Sequence, residues 1–403
     1  MKLNIAVIFG SETVEHEVSV ISAHQAMEAL DPEKYNVLPV YISKDRKFYH
    51  SDALRSMDAY KDLSKIPTIA PQVTFAVIDN RTYIMPVKSG LFAKKPLAVI
   101  DAAIPVMHGT YGEDGMIAGL MEAFRLPYSS CDIIAAGVGQ DKVLQKHILS
   151  DNGLPLTRWF WVYADEIDTN RDEVLRKVHK LIYPVILKPA RTGSSIGISI
   201  AHNDEEYLEC FEDARQYDEK IITEKVVKPM REINCSVLGD NNHARTSALE
   251  EVSHGESGLL DYKDKYLGTG STKGAKNGPS KGMASASRIV PAPLDKAQEE
   301  YIKDLALRTF RVLGCAGVCR IDFLMDAETK TVYVNEINTI PGSLSFYLWN
   351  AAGESFPALM DELVNIALER ERRRSHMNFS FDSNLLASYS AQGTKGSKGA
   401  KKI

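Results

Sequence analysis

Residues 319–342, CRIDFLMDAETKTVYVNEINTIPG, read as a β-hairpin in which Arg320, Asp322, Glu336 and Asn338 interrupt two runs of strand-forming residues. Strand side chains alternate between faces. Arg320 and Asp322 therefore share one face of the first strand, and Glu336 and Asn338 share one face of the second. The turn chemistry lies in residues 326–330, DAETK. A hairpin centred near Thr329 sets Asp322 opposite Glu336 and Arg320 opposite Asn338. The four polar side chains then converge on one patch, with Ile321, Phe323, Val334 and Ile337 directed the other way. Two carboxylates and an amide oxygen form a hard-oxygen ligand set, suited to Mg²⁺ bound along with substrate phosphates. A charge-paired, solvated face is the plainer alternative. The absence of a lysine beside the acids, and the sharp NTIPG turn that follows, favour the cation.

Other segments extend this patch. KPARTGSSIG, residues 188–197, follows a predicted strand and is rich in small residues. Such a loop can present successive backbone N–H groups to phosphate oxygens, with hydroxyls from Ser194 and Ser195 and a cation from Lys188. It matches neither GxxxxGK[ST] nor GxGxxG, and taken alone a simple turn explains it equally well. TEKVV, residues 223–227, ends another strand. Glu224 could accept from an adenine amino group, Val226 and Val227 could supply backbone partners and apolar walls, and Glu232 could meet a ribose. GSETVEHEVS (10–19) and HGTYGEDG (108–115) both follow strands and open helices, where exposed N–H groups favour an anion. Glu15 and Glu17 could act there as caps. His16 and His108 fit a hydrogen-bonded structural role as well as a catalytic one. Residues 261–288 are rich in Gly and Lys, can bury little, and suit a lid that excludes water from a phosphate site.

The bulk composition is that of a soluble globular protein: 403 residues, 44% hydrophobic and 25% charged. That length allows two or three domains. A net charge of −5 gives no reason to expect nucleic acid as a partner. No apolar run approaches a membrane span, and MKLNIAVIFG is too short and strand-like for a signal peptide. The five Cys are scattered without a CxxC pair; Cys315 and Cys319 are four apart, with no cluster expected to join them. This favours reduced thiols in a cytoplasmic protein. Strand–loop–helix alternation over 3–125, including one strand across 98–109, predicts a parallel α/β sheet with ligands at the carboxyl ends of its strands. A smaller unit follows, then strands near 232–238 and 245–252, a helix near 294–313, the hairpin, and a helix near 356–372. The tail QGTKGSKGAKKI is basic, Gly-rich and expected to be disordered.

In this order the motifs EHEVS, HGTYGEDGMIAGLMEAFRLPYSS, KPARTGSSIG, DYKDKY and RIDF…NEINTIPG resemble the ATP-grasp enzymes, and more closely the D-alanine–D-alanine ligases and their D-alanine–D-lactate and D-alanine–D-serine relatives. The likeness spans about residues 3–365. It implies an α/β, three-domain ATP-grasp fold: an N-terminal parallel, Rossmann-like α/β domain (1–137), a central subdomain (138–225), and a C-terminal subdomain (226–375) carrying the lid, with the tail at 376–403. It implies that ATP activates one D-alanine as an acyl phosphate, which a second D-alanine attacks to give D-alanyl-D-alanine for peptidoglycan synthesis. Glu15 would hold the first amino group in a set with Ser194 and Tyr266. Lys142, Lys188 and Ser195 would bind phosphates; Glu224, Lys225, Val227 and Glu232 the adenosine; and Lys265 the transferring phosphoryl group. Arg320 and the Gly342 N–H would form the oxyanion hole. Asp322, Glu336 and Asn338 would hold two Mg²⁺, with Mn²⁺ as an alternative. His108, Ser345 and Tyr347 would contact substrate. Relatives are commonly homodimers.

Three departures stand out. The run SLSFYLW puts Tyr347 where the resemblance leads one to expect the Ser that holds the second substrate's carboxylate, so D-serine or D-lactate is the alternative acceptor. The lid is longer and more basic than is usual. The first loop reads GS where GG is common.

Overall fold

The computed structural model describes residues 2–88, 95–252 and 288–380. Lys265, Tyr266, all of the predicted lid but its last residue, and the tail beyond 380 lie outside the described residues.

Among the described residues, three sheets follow one another along the chain. The first contains β1 (Leu3–Gly10), β2 (Tyr35–Ile42), β3 (Phe48–His50), β4 (Gln72–Ile78), β5 (Arg81–Pro86), β6 (Ala98–Ile100) and β7 (Ala102–Val106), in the order β6-β5-β4-β3-β2-β1-β7. β1 is the near-continuous apolar run of a strand covered on both faces: Ile5 to Phe9 are 0% exposed. It pairs in parallel with β2 and β7. The remaining pairs are antiparallel, so the sheet is mixed, not purely parallel as expected. The predicted strand over 98–109 also divides at Asp101. β6 pairs with β5 and β7 pairs with β1, at opposite ends of the order. One residue separates the two strands, so the sheet curls until its edges meet. Asp101 closes the seam, donating from N to Asn4 O at 2.9 Å and accepting from Asn4 N on Oδ2 at 2.8 Å.

The helix His16–Ala29 lies against β1, and Ser19 ties it there, accepting from Gly10 N at 2.8 Å and donating to Val106 O at 2.5 Å. The helix Phe356–Arg374 returns to the same face. Its Leu359, Leu363 and Val364 share one apolar cluster with Ile5, Val7 and Phe9.

The second sheet is antiparallel: β8 (Trp159–Tyr163), β9 (Val185–Pro189), β10 (Ser199–Ala201) and β11 (Lys220–Lys225), in the order β10-β9-β11-β8. The third holds β12 (Met230–Gly239), β13 (Ala244–Val252), β14 (Arg288–Ile289), β15 (Gly317–Asp326) and β16 (Val332–Asn338), in the order β14-β13-β12-β15-β16. The helix Lys296–Val312 covers it, started by a capping box between Asp295 and Gln298.

β15 and β16 form the expected hairpin. Arg320 pairs with Asn338 and Asp322 with Glu336. Asp326 Oδ1 organises the turn by accepting from Glu328 N at 2.9 Å and Thr329 N at 2.8 Å. Strict alternation cannot put both Val334 and Ile337 in the core, because three positions separate them. The register slips after Asp322, where Phe323 pairs with Val334 and Asn335 is left over. That bulge buries Val334 and Ile337 in one apolar cluster and leaves Asn335 on the polar side.

Candidate active site

The carboxyl ends of β1 and β7, the loop after β9, the end of β11 and the polar face of the hairpin surround one cavity of about 450 Å³. Glu15, Glu113, Lys142, Lys188, Ser194, Ser195, Arg320, Asp322, Glu336, Asn338 and Gly342 all line it. The sequence-predicted patch therefore forms a wall of a single site shared by all three sheets.

Arg320 grips Asp322 at two points, Nε to Oδ1 at 2.7 Å and Nη2 to Oδ2 at 2.8 Å, and Asn338 Nδ2 donates to Oδ2 at 3.0 Å. Burial pushes the Asp322 carboxyl up to about 6, against the pull of Arg320 and with a further push from Glu232 and Glu336. Three carboxylates thus crowd one face beside the Asn338 amide. Each carboxylate oxygen carries more than one acceptor site, so Asp322 can bind a cation while held by Arg320. Hard oxygens with surplus negative charge fit a hard dication such as Mg²⁺.

Cations lie against this wall. Lys142 begins the helix Lys142–Asp151, whose first turn Asp141 caps by accepting from Val143 N and Leu144 N. Its Nζ donates to Thr192 O at 2.7 Å and lies 3.5 Å from Glu336 Oε2. Lys188, at the end of β9, donates to Asn335 Oδ1 at 3.0 Å and pairs with Glu224 Oε1 at 2.9 Å.

Glu15 reaches the loop after β9. It stands at the start of the first helix yet makes no capping bond, so the capping role expected for it does not hold. It accepts instead from Ser194 Oγ. Ser194 and Ser195 both take left-handed backbone, φ 54° and 60°, which turns the loop toward it. Gly109 makes room for Glu15: at φ +69°, a Cβ there would sit 2.6 Å from Glu15 Oε2. Glu17 pairs with Lys44 at 2.7 Å on the surface.

Two domain models match the chain: D-ala D-ala ligase N-terminus over residues 4–131 and D-ala D-ala ligase C-terminus over residues 148–365. A D-alanine–D-alanine ligase of Thermosipho melanesiensis is 37% identical over 386 residues, covering 95% of this chain and 98% of its own. The chain belongs to the D-alanine–D-alanine ligase family. A Thermoanaerobacter sp. ligase of the same name is 35% identical over 386 residues, covering 93% and 98%. The solved D-alanine-D-alanine ligase of Coxiella burnetii superposes with a TM-score of 0.75 at 25% identity, over 93% of this chain and 96% of its own. A D-Ala:D-Ser ligase of Enterococcus faecalis reaches 0.74 at 24% identity, over 91% and 100%, a likeness of fold.

Several side chains of this D-alanine–D-alanine ligase family member do not lie as the sequence led us to expect. The Glu224 carboxylate, expected to meet adenine, is taken by Lys146, Lys188 and Thr157. Lys225 lines the cavity with Val226, Val227 and Glu232, while its Nζ donates to the carbonyls of Ile182 and Tyr183 at 2.8 and 3.2 Å. His108 reaches the cavity with both ring nitrogens engaged, Nδ1 on Ile340 O at 2.8 Å and Nε2 on Ser22 Oγ at 2.9 Å. Since a carbonyl only accepts, Nδ1 carries the proton. Burial holds the ring below the usual imidazole range and therefore neutral. His16 is likewise committed, to Ser11 O and Tyr41 Oη, as a structural group. Ser345 is 0% exposed and lies outside the cavity lining. Tyr347 Oη donates to Glu250 Oε1 at 2.8 Å and accepts from Arg288 Nη1 at 2.6 Å, a network behind the wall. Neither residue presents its hydroxyl to the cavity.

Sequence reasoning missed Glu113, Lys146, Asn335 and Arg288. Glu113 accepts from Gly109 N and Thr339 N, both at 3.1 Å, and so joins the first loop to the NTIPG turn. Burial, with Glu15 nearby, pushes its carboxyl up to about 8. The spacing of Lys146 from Lys142, one helical turn, was a usable signal. Asn335 is presented by the bulge, which alternation hides. Cys315 and Cys319 do have a joining partner, contrary to expectation: Cys131 Sγ lies 3.6 Å from Cys319 Sγ, and all three thiols cluster. They are 0–1% exposed inside an apolar cluster and pack there as small hydrophobic groups.

Proposed function

We propose that this protein is an ATP-dependent D-alanine–D-alanine ligase that supplies D-alanyl-D-alanine for peptidoglycan synthesis. The observation that carries this reading is the convergence, in one cavity, of the Arg320–Asp322–Glu336–Asn338 wall, the phosphate-side lysines and the Ser194–Glu15 contact, in a chain whose relatives of that name match it over nearly their full length.

A carboxylate is a poor acyl donor. Transfer of the γ-phosphoryl group of ATP to a carboxylate oxygen of the first D-alanine gives D-alanyl phosphate and ADP. Lys142 and Lys188 would receive the phosphates, and Glu15, held by Ser194, would receive the first amino group. Mg²⁺, held by Asp322, Glu336 and Asn338, would neutralise charge on the phosphates when bound. The amine of the second D-alanine then attacks the acyl carbon. Arg320 and the Gly342 N–H would stabilise the tetrahedral oxyanion, at roughly 3–4 kcal/mol per donor. Collapse forms the amide and expels inorganic phosphate. Lys265 and Tyr266 would complete the site from the lid, closing it to water. We assign two Mg²⁺ to the site, a homodimeric state and a cytoplasmic location to the protein, and the domain division 1–137, 138–225 and 226–375.

The test is phosphate release from ATP and Mg²⁺ with D-alanine alone, with the product identified by mass. D-alanyl-D-alanine is the expected product. Release only after D-serine or D-lactate is added would transfer the assignment to another acceptor, and no turnover on any D-amino acid would refute a ligase.

A further inference from the structure

Lys146 is 0% exposed, in the same site as Lys142 but sealed from the cavity. It leaves the helix Lys142–Asp151 one turn after Lys142, on the same face. Its Nζ lies 3.0 Å from Glu224 Oε2, while Lys188 Nζ lies 2.9 Å from Glu224 Oε1. Thr157 Oγ1 donates to Oε2 at 2.6 Å. One carboxylate therefore joins two ammonium groups, with side-chain exposures of 1%, 2% and 7% for Lys146, Glu224 and Lys188. Only Lys188 and Glu224 of these three reach the cavity.

The charge count decides what Lys146 does. A Glu224–Lys188 pair alone is neutral, and a buried acid would hold Lys188 back from an incoming anion. With Lys146 on the second oxygen, the triad keeps one net positive charge and Lys188 presents it at the cavity wall. Burial pushes the Glu224 carboxyl up, yet Lys146 and Lys188 together pull it far below the usual carboxylate range; burial also lowers the Lys146 ammonium from its ordinary range, and the adjacent Glu224 carboxylate opposes that shift.

We propose that Lys146 is a positioning residue for the nucleotide phosphates: it engages Glu224 so that Lys188 keeps both its place and its free charge. The inference rests on the reading of this cavity as an ATP site.

Equilibrium binding of ATP, ADP and adenosine to the full chain tests it, using wild type, Lys146→Met, Lys146→Arg and the double variant Lys146→Met/Glu224→Gln. Lys146→Met should weaken ATP and ADP by about tenfold or more, the scale of a hydrogen bond to a charged group, and leave adenosine within about twofold. Lys146→Arg should keep most of the affinity. The double variant removes the acid as well, restores the net charge, and should bind ATP better than Lys146→Met. A purely structural role predicts the reverse: adenosine weakens in step with ATP, and the second substitution makes binding worse. Either result overturns the proposal. If Lys146→Met does not fold, Lys146→Gln is read by the same criteria: a loss confined to ATP and ADP supports the inference, and a loss of adenosine in step with ATP refutes it. Wild type that binds no ATP would refute the site reading itself, whereas equal ATP binding by wild type and Lys146→Met would refute only the role of Lys146.

Discussion

Arg320 and Asp322, two residues apart on β15, close a two-point ion pair across the polar face of the hairpin, at 2.7 and 2.8 Å. The arginine is thereby fixed before any substrate arrives, with its planar fork already matched to a carboxylate. Replacing Arg320 with Ala should lower kcat by roughly 10²–10³ while changing ATP affinity far less, because the lost donor acts on charge that develops during reaction. Lys at this position should not rescue it, since one ammonium cannot reproduce the fork. Parallel measurements of kcat and the ATP dissociation constant check both statements.

The acidic wall predicts a metal requirement with a local origin. Chelation of divalent cations should abolish phosphate release. Asp322→Asn or Glu336→Gln should raise the Mg²⁺ concentration needed for half-maximal rate by at least about tenfold. A Mg²⁺ titration of ADP formation reads this, and an unchanged midpoint in both variants would remove these residues from the ligand set.

Glu113 should make stability depend on pH. Its carboxyl rises from 4.5 to about 8 on folding. Between those values the unfolded chain has released the proton and the folded chain has kept it, so the slope of stability against pH is negative. The contribution is therefore complete below about 4.5, declines as pH rises, and levels off above about 8. Urea unfolding of Glu113→Gln and wild type across this window should show the wild type losing stability relative to the variant as pH rises. Parallel curves would contradict the buried proton.

Gly109 and Ser194 act on the same carboxylate from opposite sides. Gly109→Ala places a methyl group 2.6 Å from Glu15 Oε2 on backbone of φ +69°, so Glu15 must move. Ser194→Ala removes one donor to it. Both should raise the D-alanine KM, by about tenfold for Ser194→Ala, with little change in the KM for ATP. Initial-rate kinetics with each substrate varied in turn distinguish the two constants.

Tyr347→Phe isolates the buried network. Removing the hydroxyl leaves Glu250 and Arg288 each one partner short, a loss of about 1–3 kcal/mol in stability. The KM values for D-alanine should stay within about twofold. A raised acceptor KM with unchanged melting temperature would instead give Tyr347 a direct substrate contact.

The hairpin was legible in the sequence because a period of two and a turn-rich DAETK segment leave little freedom in register. Its bulge was not, since nothing in VYVNEIN marks which residue is skipped. The seven-stranded sheet was read only at its parallel end, β2-β1-β7. β3 to β6 are short, weakly patterned strands, and the break at Asp101 depends on which neighbours each half finds. The lysines of the site were legible as cations near a phosphate loop, but the engagement of Glu224 by two of them was not. That contact joins residues 78 and 36 positions apart, and local patterning carries no information about it. The same holds for Cys131, brought to Cys315 and Cys319 only by the packing of two distant segments.

The helix Phe356–Arg374 has a bearing on how the chain is made. Its Leu359 and Leu363 cover the face of β1 formed by Ile5, Val7 and Phe9, and its Asp361 receives Lys34 Nζ and Tyr35 Oη at 2.5 and 2.8 Å. A growing polypeptide therefore emerges from the ribosome with its first sheet half bare, and that apolar face waits for about 350 further residues to be translated before its cover is synthesised.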